Sequence, residues 1–127
     1  MGYDVDFIQI PRPSDLTFPV EPAQARELLR QAAPITEEAV VREALLKLTG
    51  CKPGPNDTID FLGRGLSYAR LSILNDRIHV ENNCSANELL KVHGQLNELL
   101  PGLLIYDLQS RQLHSAESFA AWWAKPL

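Results

Sequence analysis

The stretch Leu66-Ser67-Tyr68-Ala69-Arg70-Leu71-Ser72-Ile73-Leu74-Asn75-Asp76-Arg77-Ile78-His79-Val80-Glu81-Asn82 decides the fold. Two runs of alternating apolar and polar residues flank Asn75-Asp76, and both of these residue types tolerate the positive φ angles of a two-residue type I′ turn. With Asn75 and Asp76 as the loop, the register follows. Leu74 stands opposite Arg77, Ile73 opposite Ile78, Ser72 opposite His79, Leu71 opposite Val80, Arg70 opposite Glu81 and Ala69 opposite Asn82. Side chains alternate along a strand, so this hairpin sends Leu71, Ile73, Ile78 and Val80 to one face. Arg70, Ser72, Arg77, His79 and Glu81 go to the other, with Arg70 and Glu81 as opposite charges directly across.

Downstream of the hairpin, Ser85 with Glu88 three residues on reads as a capping box, and Cys84 with Leu89 as a hydrophobic staple. Leu89, Val92, Leu96, Leu99 and Leu100 form the inward stripe of this helix, which Pro101-Gly102 stops. Gly94 within it costs about 1 kcal/mol relative to Ala, a cost that close packing would explain. Leu103 to Leu108 is apolar nearly throughout and reads as a strand that is central or covered on both faces. Gln109 to Gln112 turns the chain, Leu113 pairs back with Leu108, and Ser115 caps a last helix carrying Phe119, Trp122 and Trp123.

Upstream, Tyr3, Val5 and Phe7 alternate with Asp4 and Asp6, which predicts a first strand over 3–10 with one buried face. Pro22 opens a helix whose Ala25, Leu28, Leu29 and Ala32 share a face, and Pro34 closes it. A second helix is expected from an N-cap at Thr36, with Glu37 and Glu38 favoured by the helix dipole, Ile35 and Val40 as a staple, and Gly50 as the stop. Residues 51–65 read as the least regular segment, because Pro53, Gly54, Pro55, Asn56 and Asp57 mark turns, as do Gly63 and Gly65. The order implies a single α+β domain over 1–127: a mostly antiparallel sheet with helices on one side. Its core is a ferredoxin-like split β-α-β-β-α-β arrangement with an extra helix and a C-terminal helix.

The chain has 127 residues, 45% of them hydrophobic, enough for one domain with a true core. No run approaches the roughly 20 apolar residues that span a bilayer, and the first residues lack the layout of a secretory signal, so a cytosolic setting is expected. Cys51 and Cys84 form no CxxC and read as buried thiols. With a net charge of −4 and scattered Lys and Arg, neither nucleic acid nor an anionic membrane is an expected partner.

No GxSxG, HExxH or Walker motif occurs, and His79, His93 and His114 each lack a second ligand at zinc-motif spacing. No catalytic residue, metal or cofactor is therefore assigned. Asp4, Asp6 and Asp107 are the one acidic set considered for a divalent cation, but solvation of an open sheet face accounts for the first two more simply. The polar hairpin face is the candidate recognition surface: Arg70, Ser72, Arg77, His79 and Glu81. Trp122 and Trp123 are weighed as a partner anchor against a role in packing the last helix, and since neighbours on a helix diverge by about 100°, one of the two is expected to be partly exposed.

The opening Met1-Gly2-Tyr3-Asp4-Val5-Asp6-Phe7 and the closing Leu104-Ile105-Tyr106-Asp107-Leu108-Gln109-Ser110, with Leu113-His114 and Phe119 to Trp123, carry a resemblance. They are similar to the ends of small bacterial immunity proteins of polymorphic and contact-dependent toxin systems, type VI secretion among them. At the turn, Arg111 stands where that pattern leads one to expect Gly. The resemblance implies a cytoplasmic protein that neutralises a cognate toxin by binding it, and the acidic balance fits a basic toxin domain. Two other readings stay open: a small-molecule-binding or enzymatic domain using the face around His79, and a homo-oligomer pairing through a sheet edge or Trp122-Trp123.

Overall fold

The computed structural model describes residues 4–10, 15–63, 65, 67–84 and 86–123, without the side chains of 86 and 123. In chain order the elements are β1 (Val5–Gln9), α1 (Pro22–Leu29), α2 (Glu38–Leu46), β2 (Cys51–Pro53), a 3₁₀ turn (Pro55–Asp57), β3 (Ile59–Leu62) and β4 (Tyr68–Ile73). There follow β5 (Ile78–Asn82), α3 (Ala86–Leu99), β6 (Leu103–Asp107), β7 (Leu113–His114) and α4 (Ala116–Trp123). The strands form one antiparallel sheet in the order β2-β3-β4-β5-β1-β6-β7. The chain is thus α+β, as its pattern of elements requires.

The hairpin β4–β5 has the register its alternation dictates, from Ala69 opposite Asn82 to Ile73 opposite Ile78. Its turn differs in conformation. Neither Asn75 nor Asp76 has a positive φ, and the turn closes through Leu74 N–H to the Arg77 carbonyl at 2.8 Å. One outside tie holds it, the Asn75 carbonyl accepting from the Ile35 N–H at 2.8 Å, and within the turn the Asp76 carboxylate takes the Arg77 guanidinium.

Strand β1 is central, hydrogen-bonded to β5 on one edge and β6 on the other. Val5 and Phe7 enter the larger core with Val41 and Leu45 of α2, Leu89, Val92 and Leu96 of α3, and Phe119 of α4. Ile8 and Ile10 enter a second cluster with Ala25 of α1, Val20, Leu104 and Leu113. Adjacent strand residues point to opposite faces, so α2, α3 and α4 share one side as expected while α1 covers the other. That second layer is needed because β6 and the end of β1 are apolar on both faces.

Residues 51–65 are more regular than expected. Cys51–Pro53 pairs with Ile59–Phe61, and Ile59–Leu62 pairs with β4, so β2 and β3 widen the sheet. The turn between them places Asn56 and Asp57 at φ 52 and 63, a conformation that short polar side chains tolerate. Helix α2 starts one residue late, with Glu37 rather than Thr36 at the cap and no side-chain cap bond, since the Ile35–Asn75 tie keeps the preceding chain extended. Val40 is therefore exposed rather than stapled. Ser85 lies outside the described residues, but Cys84 and Leu89 are both buried as a staple would have them.

Leu113 pairs with Tyr106, not Leu108, because Asp107 builds a wider turn. Its carboxylate accepts from Gln109 N–H at 3.0 Å and Ser110 Oγ at 2.5 Å, and its carbonyl accepts from Arg111 N–H at 2.7 Å. Arg111, where Gly was expected, has φ 61. Ser115 caps α4 reciprocally: Ser118 N–H donates to its Oγ at 3.1 Å, and its own N–H donates to Ser118 Oγ at 3.0 Å.

Two glycines separate by environment. Gly94 was expected to be close-packed, yet a Cβ there meets open space, whereas at Gly50 (φ 91) a Cβ would stand 2.5 Å from the Leu62 carbonyl oxygen. Gly94→Ala is expected to raise stability by about 1 kcal/mol, and Gly50→Ala to lower it by about 1–2 kcal/mol or more. Urea-unfolding midpoints of the two variants check both signs.

Candidate functional site

On the side opposite the larger core, among the described residues, α1 covers only the β1–β6–β7 end and no apolar cluster forms over β3, β4 and β5. Here the cross-strand register lays polar residues in two rows. One row is Ser72, His79, Asp6 and Tyr106; the next is Lys52, Asp60, Arg70 and Glu81. The side chains of Arg70 and His79 are 34% and 28% exposed, so the face is wet but ordered.

The order comes from two buried carboxylates. Asp6, its side chain 4% exposed, accepts from Arg77 Nη1 at 3.2 Å and lies 2.7 Å from His79 Nδ1. Arg77 also holds Asp76, through Nε at 2.9 Å. Asp60 takes Arg70 through Nε at 2.8 Å and Nη2 at 3.4 Å, and Tyr68 Oη donates to it at 3.3 Å. The Arg70 hydrogen bond holds the Asp60 carboxyl below the usual carboxylate range, as the Arg77 hydrogen bond does for Asp76. Arg70 lies between two carboxylates, its register partners on β3 and β5, and bonds Asp60 rather than Glu81. Asp60 is the more buried, and attraction between opposite charges grows as water is excluded.

Of the residues singled out from sequence, Arg70, Ser72, Arg77, His79 and Glu81 are together on this face. Trp122 is not: it is half-buried on the helix-covered side, its ring 6.2 Å from Phe119 and 5.9 Å from His114. The Trp123 side chain lies outside the described residues. The two acids that anchor the face were misjudged or missed. Alternation alone places Asp6 on a solvated face, whereas it is 3% exposed, because Arg77 and His79 close over it. Asp60 lay in the segment read as irregular, although Ile59-Asp60-Phe61-Leu62 carries the alternation that would have revealed it.

Asp6 and Asp107 do not converge: Asp107 is opposite Val5 in register and so faces the other side of the sheet. Among the described residues no three of His, Cys, Asp or Glu gather as a metal set. His93 and His114 are core residues. His93 lies 2.7 Å from the Leu103 carbonyl and edge-on to Phe7, and His114 Nδ1 is 3.0 Å from Ser118 Oγ. Burial pushes the Cys84 thiol, and that of half-buried Cys51, up to about 11, which leaves both protonated at neutral pH. Asp6, His79 and Ser72 stand side by side on adjacent strands, yet no hydrogen bond joins Ser72 to His79 among the described residues. Backbone N–H groups of a paired strand point along the sheet rather than out of it, so this row offers no oxyanion donors.

Compared with known proteins, the chain matches no family model, no curated protein and no solved structure. No described helix is long and apolar enough to cross a membrane.

Arg77→Met leaves Asp6 buried with only the imidazole beside it. A stability loss of about 2–3 kcal/mol is expected, below the value for a fully buried pair because Arg77 is partly solvated. Asp6→Asn in the same background recovers part of that loss, and a double-mutant cycle by urea unfolding measures both. For His93, burial lowers the pKa from its ordinary 6.5. Its neutral form therefore supports folding above pH 6.5, and that support is lost as pH falls from 6.5 toward the folded pKa. His93→Gln is expected to flatten this part of the stability–pH curve, read from unfolding midpoints between pH 7.5 and 5.

Proposed function

We propose that the chain is a non-catalytic protein-binding module, an immunity-type inhibitor acting in the cytoplasm, and that its open sheet face docks a basic toxin domain. The observation that carries this is the uncovered face itself, whose two arginines, Arg70 and Arg77, are already held by ion pairs to Asp60, Asp6 and Asp76. Arginines fixed in this way keep their hydrogen-bond geometry, so little rotamer freedom is lost when a partner docks. The face also has the right sign. Five carboxylates (Asp4, Asp6, Asp60, Asp76, Glu81) stand against three cations (Lys52, Arg70, Arg77), and Glu81 is exposed with no cation bound to it among the described residues. Such a surface speeds encounter with a cationic partner and sets orientation.

A second reading, small-molecule binding or catalysis around His79, is favoured by the 2.7 Å contact of His79 with Asp6, which orients the ring and leaves Nε2 free of that contact. The docking reading is tested by one experiment. Immobilised wild-type protein and the Glu81→Lys and His79→Ala variants are exposed to lysate of the native host at rising salt. The expected outcome is capture of a basic protein by wild type, weakened at high salt and reduced severalfold by Glu81→Lys. Equal capture by wild type and Glu81→Lys, or no captured protein, counts against the docking face.

A further inference from the structure

On the helix-covered side of the sheet, away from the face just described, the C-terminal end of α2 and the length of α3 diverge over the end of β3. They leave a cleft of about 900 Å³. That volume lies at the upper end of the range of small-molecule sites. Its apolar wall is made by Leu48, Phe61 and Val92, continuous with the larger core. Lys47, at the C-terminal cap of α2, and Lys91, on α3, also line it. Arg30, Arg42, Arg70 and Arg77 each have a carboxylate partner. Lys47 and Lys91 have none among the described residues.

The lining contains one carboxylate among the described residues, Glu88, and it is directed at Gly63. A Cβ at Gly63 would lie 1.5 Å from Glu88 Oε2, so the missing side chain is what gives that carboxylate its place. With Lys47 and Lys91 against Glu88, the described lining still carries one net positive charge, on a chain whose net charge is −4. Two exposed ammonium groups alone hold a small anion poorly, because water and salt screen them. An apolar wall alone shows no preference for charge. Together they select a ligand carrying both features, since burying its apolar body adds about 25 cal/mol for each Å² removed from water.

We infer that this cleft binds a small amphiphilic carboxylate, its apolar body against Leu48, Phe61 and Val92 and its anionic head at Lys47 and Lys91. The inference stands apart from the protein-docking reading, which concerns the opposite face.

Decanoate is the probe, titrated below its micellar concentration into ¹⁵N-labelled full-length protein and followed by amide shifts. Acetate and decyltrimethylammonium are the controls. The expected result is saturable binding of decanoate, with shifts at Lys91, Val92 and Leu48, and at least tenfold weaker binding of both controls. The Lys47→Gln/Lys91→Gln double variant, altered only at exposed side chains, is expected to bind decanoate about tenfold more weakly with its spectrum otherwise retained. The inference is overturned if decanoate does not saturate, if decyltrimethylammonium binds equally well, if the double variant binds like wild type, or if the shifts map to Arg70, His79 and Glu81. Loss of partner capture by Glu81→Lys bears on the docking face alone, and loss of decanoate binding on the cleft alone.

Discussion

Strand β1 is paired along both edges and covered on both faces, and it carries a carboxylate in its middle. Asp6 cannot reach bulk water from there, so it must be neutralised by what the neighbouring strand supplies. Strand β5 and its turn supply Arg77 and His79, more than 70 residues away in sequence. Slipping β1 against β5 by one residue would separate these groups and also turn Val5 and Phe7 out of the core, since such a slip exchanges the two faces, and a two-residue slip would still carry Asp6 away from His79. The buried ion pair and the apolar alternation thus specify the same alignment. The rest of the sheet follows from it, because β4 is tied to β5 by a two-residue loop and β6 takes the remaining edge of β1.

Legibility in the sequence tracks how local each determinant is. The hairpin register was readable because both strands alternate and the short loop leaves no slack. The Ser115 cap was readable because its partner is three residues away. The start of α2 was not, since it is displaced by a backbone bond from Ile35 to Asn75, forty residues on. The placement of α1 on the second face was hidden for a similar reason: it follows from Ile8, Ile10, Leu104 and Leu113 being buried together, which no single segment reveals. Strands β2 and β3 were masked by the Pro53-Gly54-Pro55 cluster, where turn chemistry and a short strand overlap.

The candidate face divides the same way. Its five hairpin residues were legible from alternation alone. Their anchors were not, because an acid on an alternating strand looks the same whether it faces water or a distant guanidinium. Asp60 and Asp6 convert what reads as a solvated polar surface into one with fixed geometry, and that changes what the surface is good for. Mobile charges on long side chains lose rotamer freedom when a partner orders them. Here Arg70 and Arg77 are ordered beforehand, and their partly exposed guanidinium groups keep donors beyond those the acids occupy.

The two sides of the sheet are therefore under different constraints. On the helix-covered side, packing density decides which residues are tolerated, and the cleft exists only where α2 stops at Leu46 and α3 continues past it. On the open side, ion-pair geometry decides, and apolar contacts contribute little. A substitution such as Arg70→Lys keeps charge but forfeits the two-point contact with Asp60. It alters the geometry that holds the buried Asp60 carboxylate while keeping the charge. Because the sheet separates the two sides, changes on the open face leave the core contacts of Leu71, Ile78 and Val80 in place.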